Sequence, residues 1–210
     1  TRVSFDMAMR HMGGDALYLS PNEIGLGKRE AISDVARVMS GYVQAMMARV
    51  FEHAHVLELA KWSSVPVING LSDSSHPCQA MADAQTIQEK FGKARGLKVT
   101  FVGDGNNVAV SLMQISVKLG WNFTLASPEN YDMPAGAIET ARKVAAETGS
   151  QLTFLRDPHE AVRKAQVIYT DTWTSMGQEK ETAIREKVFP PFQVNAKLVS
   201  EADKDVIVMH

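Results

Sequence analysis

The sequence Leu97-Lys98-Val99-Thr100-Phe101-Val102-Gly103 decides the fold class, because it is a mostly apolar run of strand length that ends at a glycine. The residues that follow, Asp104-Gly105-Asn106-Asn107, form a turn, and a helix is predicted over 107–119. A strand, a turn and a helix in this order are typical of an α/β domain with a parallel sheet.

The same alternation extends in both directions from this stretch. Downstream, strands are predicted at 122–126, 151–154, 167–170 and 206–209, with helices at 138–148 and 158–165. Upstream, helices are predicted at 1–13, 30–48, 52–61 and 76–90, with strands at 16–19, 50–51 and 66–70. The sequence therefore predicts an α/β fold of two domains, each a mostly parallel sheet flanked by helices.

A polar link, Gly92-Lys93-Ala94-Arg95-Gly96, separates the two halves. We expect domains at 1–90 and 91–210. A chain of 210 residues with 45% hydrophobic content is long enough to bury a sizeable core.

Composition excludes several classes of partner. The net charge of −2 gives no basic field for nucleic acid or an anionic membrane, and no apolar run approaches the ~18 residues of a membrane span. One cysteine, Cys78, rules out an internal disulfide and suits a reducing compartment, so we expect a cytoplasmic protein.

Three separated motifs carry the functional signal. They are His76-Pro77-Cys78-Gln79, Gly103-Asp104-Gly105-Asn106-Asn107 and Asp171-Thr172-Trp173-Thr174-Ser175-Met176-Gly177. In this order they resemble the HPxQ, GDxxNN and DxxxSMG elements of the ornithine carbamoyltransferases. The start, Thr1-Arg2-Val3-Ser4-Phe5, resembles the end of that family's STRTRxSF motif, and the final His210 resembles the first residue of its HCLP motif. The resemblance implies a chain truncated at both ends.

The resemblance assigns carbamoyl phosphate to residues of the first half. Thr1, with Arg2 secondary, and Arg49 would hold the phosphate, since helix N-terminal N–H groups and a guanidinium fork suit that anion. His76 would donate to the carbamoyl oxygen, and Gln79, three positions later on the same helix face, would grip the carbamoyl NH₂. Arg49 is placed at the end of the helix predicted over 30–48, and Cys78 is interpreted as a small packed side chain rather than a nucleophile.

The resemblance assigns ornithine to the second half. Asn107 would bind its carboxylate or backbone region, Asp171 its α-ammonium, and Ser175 and Met176 would contact the same end. Asp171 directly follows a predicted strand, at the sheet edge where α/β proteins bind ligands. The charged segment 178–187 is interpreted as the flank of a mobile lid.

These assignments imply carbamoyl transfer from carbamoyl phosphate to L-ornithine, without a metal or organic cofactor, in a homo-oligomer that is trimeric by resemblance. Gly25 stands where relatives tend to carry Gln or His, so a cross-subunit contact through that side chain is not expected.

Two alternative functions stay open. Gly103 and Gly105 permit a nucleotide-binding oxidoreductase domain, although Val108 replaces the third glycine of G-x-G-x-x-G. A carbamoyltransferase fragment that folds without turnover is the other.

Overall fold

The chain forms an α/β structure in which every paired strand runs parallel to its neighbour. A computed structural model describes residues 1–175 and 177–210. Along the chain the elements follow in the order α1 (Arg2–His11), α2 (Pro21–Ile24), α3 (Ile32–Ser40), β1 (Met46–Arg49), α4 (His53–Trp62), β2 (Val67–Leu71), α5 (Pro77–Phe91), β3 (Lys98–Val102), α6 (Asn107–Lys118), β4 (Asn122–Ala126), α7 (Ala135–Thr148), β5 (Leu152–Leu155), α8 (Pro158–Val162), β6 (Val167–Thr170), α9 (Thr182–Val188), α10 (Ala196–Val199) and β7 (Ile207–Met209). The predicted fold class is confirmed.

The chain divides into two compact units, Thr1–Cys78 and Gln79–His210. In unit 1, β1 and β2 form a two-stranded parallel sheet. Its core is built from Ile32 and Ala36 of α3 and Leu59 of α4. The apolar residues of α3 that face this core recur at helical spacing, which explains why the helix forms there.

Unit 2 contains a five-stranded parallel sheet in the order β5-β4-β3-β6-β7. The side chains of β3 alternate between its two faces: Val99 and Phe101 enter one apolar cluster, and Val102 enters the other. Because both faces are covered by helices, the strands read as nearly continuous apolar runs. This burial pattern is why 122–126 and 167–170 were predicted with the bounds that β4 and β6 have.

The strand order reverses direction between β3 and β6. From β3 the chain proceeds outward to β4 and β5, then returns to place β6 on the other side of β3. Ligands of open α/β sheets bind beyond the carboxyl ends of the strands at such a switch point. The segments that leave β3 and β6 there begin at Gly103 and Asp171.

Three predictions in unit 1 are wrong. The helix predicted over 30–48 ends at Ser40, and Met46–Arg49 form β1, so Arg49 ends a strand and not a helix; the predicted strand at 50–51 is displaced by the same error. Met and Ala favour helices, but pairing with β2 overrides that preference. Residues 16–19 form no strand, because Leu17 and Tyr18 are exposed and no neighbouring strand pairs with them.

The segment 178–187, interpreted from the sequence as the flank of a mobile lid, is mostly exposed. Its residues form a short 3-10 helix at Glu179–Glu181 and most of α9. Arg185 is buried at 4% exposure inside unit 2. No helix in the described part of the chain is both long and apolar enough to cross a membrane.

Candidate active site

In unit 1, the structure brings together two of the residues assigned to phosphate. Thr1 is the N-cap residue of α1, and Arg49 stands at the end of β1. Arg49 Nη1 donates to Thr1 Oγ1 at 2.6 Å, and both residues are exposed. A helix N-terminus with an arginine beside it concentrates N–H donors and positive charge, which is the chemistry a phosphate requires. Arg2 instead stacks over the Tyr18 ring, 4.0 Å from its centroid.

His76 directly precedes Pro77, the first residue of α5, and is partly buried. The turn before it is fixed by side chains. Ser75 N donates to Ser72 Oγ at 3.3 Å, and Asn69 Nδ2 of β2 donates to Ser75 Oγ at 3.0 Å. His53 Nδ1 lies 2.9 Å from Ser72 Oγ. This polar cluster, formed by His53, Asn69, Ser72 and Ser75, holds the segment that presents His76.

Cys78 behaves as a packed thiol. Its Sγ donates to the Asn69 carbonyl at 3.3 Å, and burial raises the pKa of the Cys78 thiol. A thiol with a raised pKa is a poor nucleophile at neutral pH. This agrees with its interpretation from the sequence.

Gln79, the first residue of unit 2, lies in the first turn of α5. Its Nε2 donates to Asp83 Oδ1 one turn later, at 2.9 Å. Asp83 is buried at 4% exposure, and burial raises the pKa of its carboxyl, while hydrogen bonds from Gln79 and Tyr169 lower it. Burial and the charge of Asp83 also raise the pKa of Tyr169. One N–H of the Gln79 amide donates to Asp83, and the amide oxygen is the atom that can accept from a ligand.

The loop after β3 meets the loop after β6 through a direct hydrogen bond. Asn106 Oδ1 accepts from Val108 N and Ala109 N, both at 3.0 Å, and so caps α6. The other end of the same amide, Nδ2, donates to Asp171 Oδ2 at 2.9 Å. Asp171 Oδ1 accepts from Thr172 N at 2.8 Å, so both carboxylate oxygens are oriented.

Asn107, the first residue of α6, and Ser175 are both partly buried. Ser175 N donates to Gln178 Oε1 at 3.1 Å, and Gln178 N donates to the Ser175 carbonyl at 3.0 Å, which closes a turn beyond Asp171. Met176, also assigned to ornithine, lies outside the described residues. The described members of this set therefore cluster around the switch point between β3 and β6.

Two residues near this cluster, Asp104 and Arg185, had not been assigned a role from the sequence. Arg185 Nη1 donates to Asp104 Oδ2 at 2.6 Å, and their side chains are only 5% and 13% exposed. Burial raises the pKa of Asp104, and the hydrogen bond and charge of Arg185 oppose that rise. The sequence did contain a signal for this pair. Asp104 and Asp171 follow β3 and β6, and carboxylates that lie close together require a nearby cation.

The glycine pattern after β3 has a packing explanation. A Cβ on Gly105 would collide with the backbone nitrogen of Met133 and would lie 2.6 Å from the carbonyl carbon of Asp132. Gly105 is therefore required by the close approach of the chain at 132–133. Val108, at the position of a third glycine, packs against the core of unit 2.

Gly25 in unit 1 has a local structural role, since it ends α2 in the left-handed region with φ 59°.

Among residues 1–175 and 177–210, no group of three or more His, Cys, Asp and Glu side chains is arranged to hold a metal ion. Unit 1 presents an arginine beside a helix N-terminus, which suits an anion, and unit 2 presents an oriented carboxylate, which suits an ammonium group.

Comparisons with known proteins match the two halves of the chain to two different domain models. Residues 1–89 match the family model described as "Aspartate/ornithine carbamoyltransferase, carbamoyl-P binding domain", and residues 95–210 match its "Asp/Orn binding domain". Ornithine carbamoyltransferases of Pyrococcus abyssi and Bacillus subtilis are 55% and 52% identical over all of this chain. In each case the chain spans 66% of the relative's length.

Solved structures give the same result. An ornithine carbamoyltransferase from Pyrococcus furiosus matches with a TM-score of 0.96 at 55% identity, covering 100% of this chain and 67% of the other. An anabolic ornithine carbamoyltransferase from Campylobacter jejuni matches with a TM-score of 0.95 at 38% identity, covering 99% of this chain and 69% of the other. The predicted family is confirmed: the chain belongs to the aspartate/ornithine carbamoyltransferase family.

Proposed function

We propose that this protein transfers the carbamoyl group of carbamoyl phosphate to the δ-amine of L-ornithine, giving L-citrulline and phosphate. The observation that carries the proposal is the hydrogen bond from Asn106 to Asp171, which fixes a carboxylate at the sheet switch point. A fixed carboxylate beside the turn at Ser175 is suited to the α-ammonium of an amino acid. The similarity to ornithine carbamoyltransferases across the whole chain supports ornithine as that amino acid.

Residues 1–90 form the carbamoyl-phosphate domain in this proposal. Thr1 and Arg49 bind the phosphate, and their mutual hydrogen bond of 2.6 Å supports the pairing. His76 donates to the carbamoyl oxygen as negative charge develops there, and Gln79 accepts from the carbamoyl NH₂ through its carbonyl oxygen. Donors aimed at developing charge lower the barrier more than they strengthen substrate binding.

Residues 91–210 form the ornithine domain. Asp171 pairs with the α-ammonium, Asn107 binds the carboxylate end, and Ser175 and Met176 contact the same end of the substrate. The neutral δ-amine attacks the carbamoyl carbon, the bond from that carbon to the phosphate oxygen breaks, and the amine proton is lost to solvent or to the departing phosphate. Most of the rate gain comes from positioning and from electrostatic stabilisation of the oxyanion.

The proposal includes a homotrimeric assembly, a cytoplasmic location and an anabolic role in arginine synthesis. Size-exclusion chromatography with light scattering tests the first of these. The anabolic role is supported by the description of the Campylobacter jejuni relative as anabolic.

A product assay tests the reaction. Purified protein is incubated with carbamoyl phosphate and ornithine, and citrulline is measured; parallel reactions replace ornithine with aspartate or putrescine. Citrulline formation with at least hundredfold preference for ornithine is expected. Preference for another amine would overturn the substrate assignment. If the protein binds NAD(P) and neither substrate, the oxidoreductase alternative replaces the proposal.

A further inference from the structure

Arg185 occupies a site inside unit 2 that is built around its guanidinium. Nη1 donates to Asp104 Oδ2 at 2.6 Å and to the Trp173 carbonyl at 2.9 Å, and Nε donates to Glu181 Oε2 at 3.0 Å. The guanidinium also lies over the Tyr131 ring, 4.8 Å from its centroid. A buried charge is stable only when it is paired and hydrogen-bonded in this way.

These contacts join three segments that each bear on the proposed ornithine site. Asp104 lies two residues before Asn106, which binds Asp171. Trp173 lies midway between Asp171 and Ser175. Glu181 belongs to the 3-10 helix that follows the turn at Ser175. Arg185 therefore connects the loop after β3, the loop after β6 and the segment that leads into α9.

Aromatic packing supports the same arrangement. Phe189, at the end of α9 and fully buried, contacts Tyr131 edge-on with ring centroids 4.7 Å apart. It also stacks on Trp173, with ring centroids 6.2 Å apart. The indole of Trp173 is thus anchored by Phe189, while its carbonyl is anchored by Arg185.

We infer that Arg185 is a positioning residue for ornithine, acting with Asp104 to hold the Asp171–Ser175 loop in its binding conformation. The inference rests on the proposed function. Arg185 has no assigned contact with substrate, because its Nη1 and Nε donate to Asp104, Glu181 and the Trp173 carbonyl. Within the loop, Thr172 N donates to Asp171 Oδ1 at 2.8 Å and Thr172 Oγ1 donates to the Thr174 carbonyl at 2.9 Å. At Trp173, the carbonyl is held by a residue from outside the loop, Arg185.

The test compares Arg185→Lys with Arg142→Lys. Lysine keeps the charge, but a single ammonium cannot reproduce a planar fork that reaches Asp104, Glu181 and a carbonyl together. Arg142 is exposed on α7 and provides the same chemical change away from the loop. Asp104→Asn is a second variant of nearly identical shape, which weakens the pair from its other end and covers the case in which Arg185→Lys does not fold.

Two readouts are used on each protein. The first is the emission of Trp173, taken as the difference between each protein and its Trp173→Phe counterpart. The second is affinity for ornithine and, separately, for carbamoyl phosphate, by titration calorimetry. We expect Arg185→Lys and Asp104→Asn to shift Trp173 emission to longer wavelength. We expect them to weaken ornithine binding by about tenfold to a hundredfold, since small misplacements have effects of that size. Affinity for carbamoyl phosphate should stay within twofold, and Arg142→Lys should change nothing.

Equal weakening of both ligands, or no change in either, would overturn the positioning role and leave Arg185 as a stabilising residue only. A parent protein that binds no ornithine would instead refute the proposed function. In that case, unchanged Trp173 emission in both variants would refute the inference as well. A shift in emission would still show that Arg185 holds the loop.

Discussion

Asn106 Nδ2 donates to Asp171 Oδ2 at 2.9 Å, and this bond joins the loops that leave the neighbouring strands β3 and β6. The same side chain caps α6 through its oxygen. One amide thus performs two tasks: it starts a helix and it orients the carboxylate that we assign to the substrate ammonium. The two tasks use different atoms, so substitutions can separate them.

Asn106→Ser should keep the cap and lose the link to Asp171. Serine is an effective N-cap residue, so the free energy of unfolding should change by less than about 1 kcal/mol, whereas Asn106→Ala should cost roughly 1 kcal/mol. Both variants should bind ornithine more weakly, by about fivefold to tenfold for the loss of one charge-assisted hydrogen bond. Urea unfolding and titration calorimetry measure the two effects. Normal ornithine affinity in Asn106→Ser would show that the link is not used.

Asp171→Asn should selectively damage ornithine use. The amide retains the size of the side chain but cannot pair with an ammonium group, so the expected loss is on the order of 1–3 kcal/mol in ornithine binding. Carbamoyl phosphate affinity should be nearly unchanged. Calorimetric titration with each ligand checks this, and equal weakening of both would indicate a structural role for Asp171.

Much of unit 2 was predictable because its strands are buried on both faces. Runs such as Asn122–Ala126 and Val167–Thr170 have apolar residues bounded by polar or glycine residues, and both bounds agree with the structure. The position of Asp171 at a strand end followed from the same pattern. Local sequence was sufficient for these strands, because the apolar character, the length and the flanking residues of each run all favoured a strand.

The errors arose where contact with a residue or strand far away in the sequence determines the local structure. Met46–Arg49 has helical composition, and only its pairing with Val67–Leu71 makes it a strand. Arg185 lies in the charged segment 178–187 and was not assigned a role from the sequence, because its buried partner, Asp104, lies 81 residues away. Neither pairing is encoded by the periodicity of the local sequence.

His76→Ala should lower kcat far more than it weakens ornithine binding. The imidazole is proposed to donate to an oxyanion that forms only in the transition state, and loss of one such donor costs about 3 kcal/mol, or roughly a hundredfold in rate. Steady-state kinetics of citrulline formation measure the effect, with His11→Ala, on the exposed face of α1, as the control. An unchanged kcat with impaired ornithine affinity would contradict the assigned role.

Gly25→Gln should destabilise unit 1. Gly25 has φ 59°, and a Cβ at this position would lie 2.8 Å from Cβ of Arg29, so the side chain meets both backbone strain and a collision. A non-glycine residue in the left-handed region costs about 1–3 kcal/mol. Gly136→Ala, at an exposed helical site with open space around it, should be neutral or stabilising. Thermal unfolding of both variants decides this, and an unchanged midpoint for Gly25→Gln would be contrary to the prediction.

Asp83→Asn should make the protein relatively more stable as pH rises. Burial raises the pKa of Asp83 in the folded state, so its ionised form is disfavoured there. A carboxyl with a raised folded-state pKa contributes its full stability below the unfolded-state pKa, near 3.8, and loses that contribution as pH rises through the folded-state value. Asparagine does not titrate and can still accept from Gln79, so this loss disappears. The difference in free energy of unfolding between Asp83→Asn and the parent should therefore grow in favour of the variant from pH 4 toward neutral pH.

Urea unfolding of both proteins across that range measures this difference, with Asp34→Asn, exposed on α3, as the matched control. A difference that is constant with pH would mean that Asp83 titrates alike in the folded and unfolded chains, and a difference that moves toward the parent would mean that its ionised form is stabilised by its surroundings.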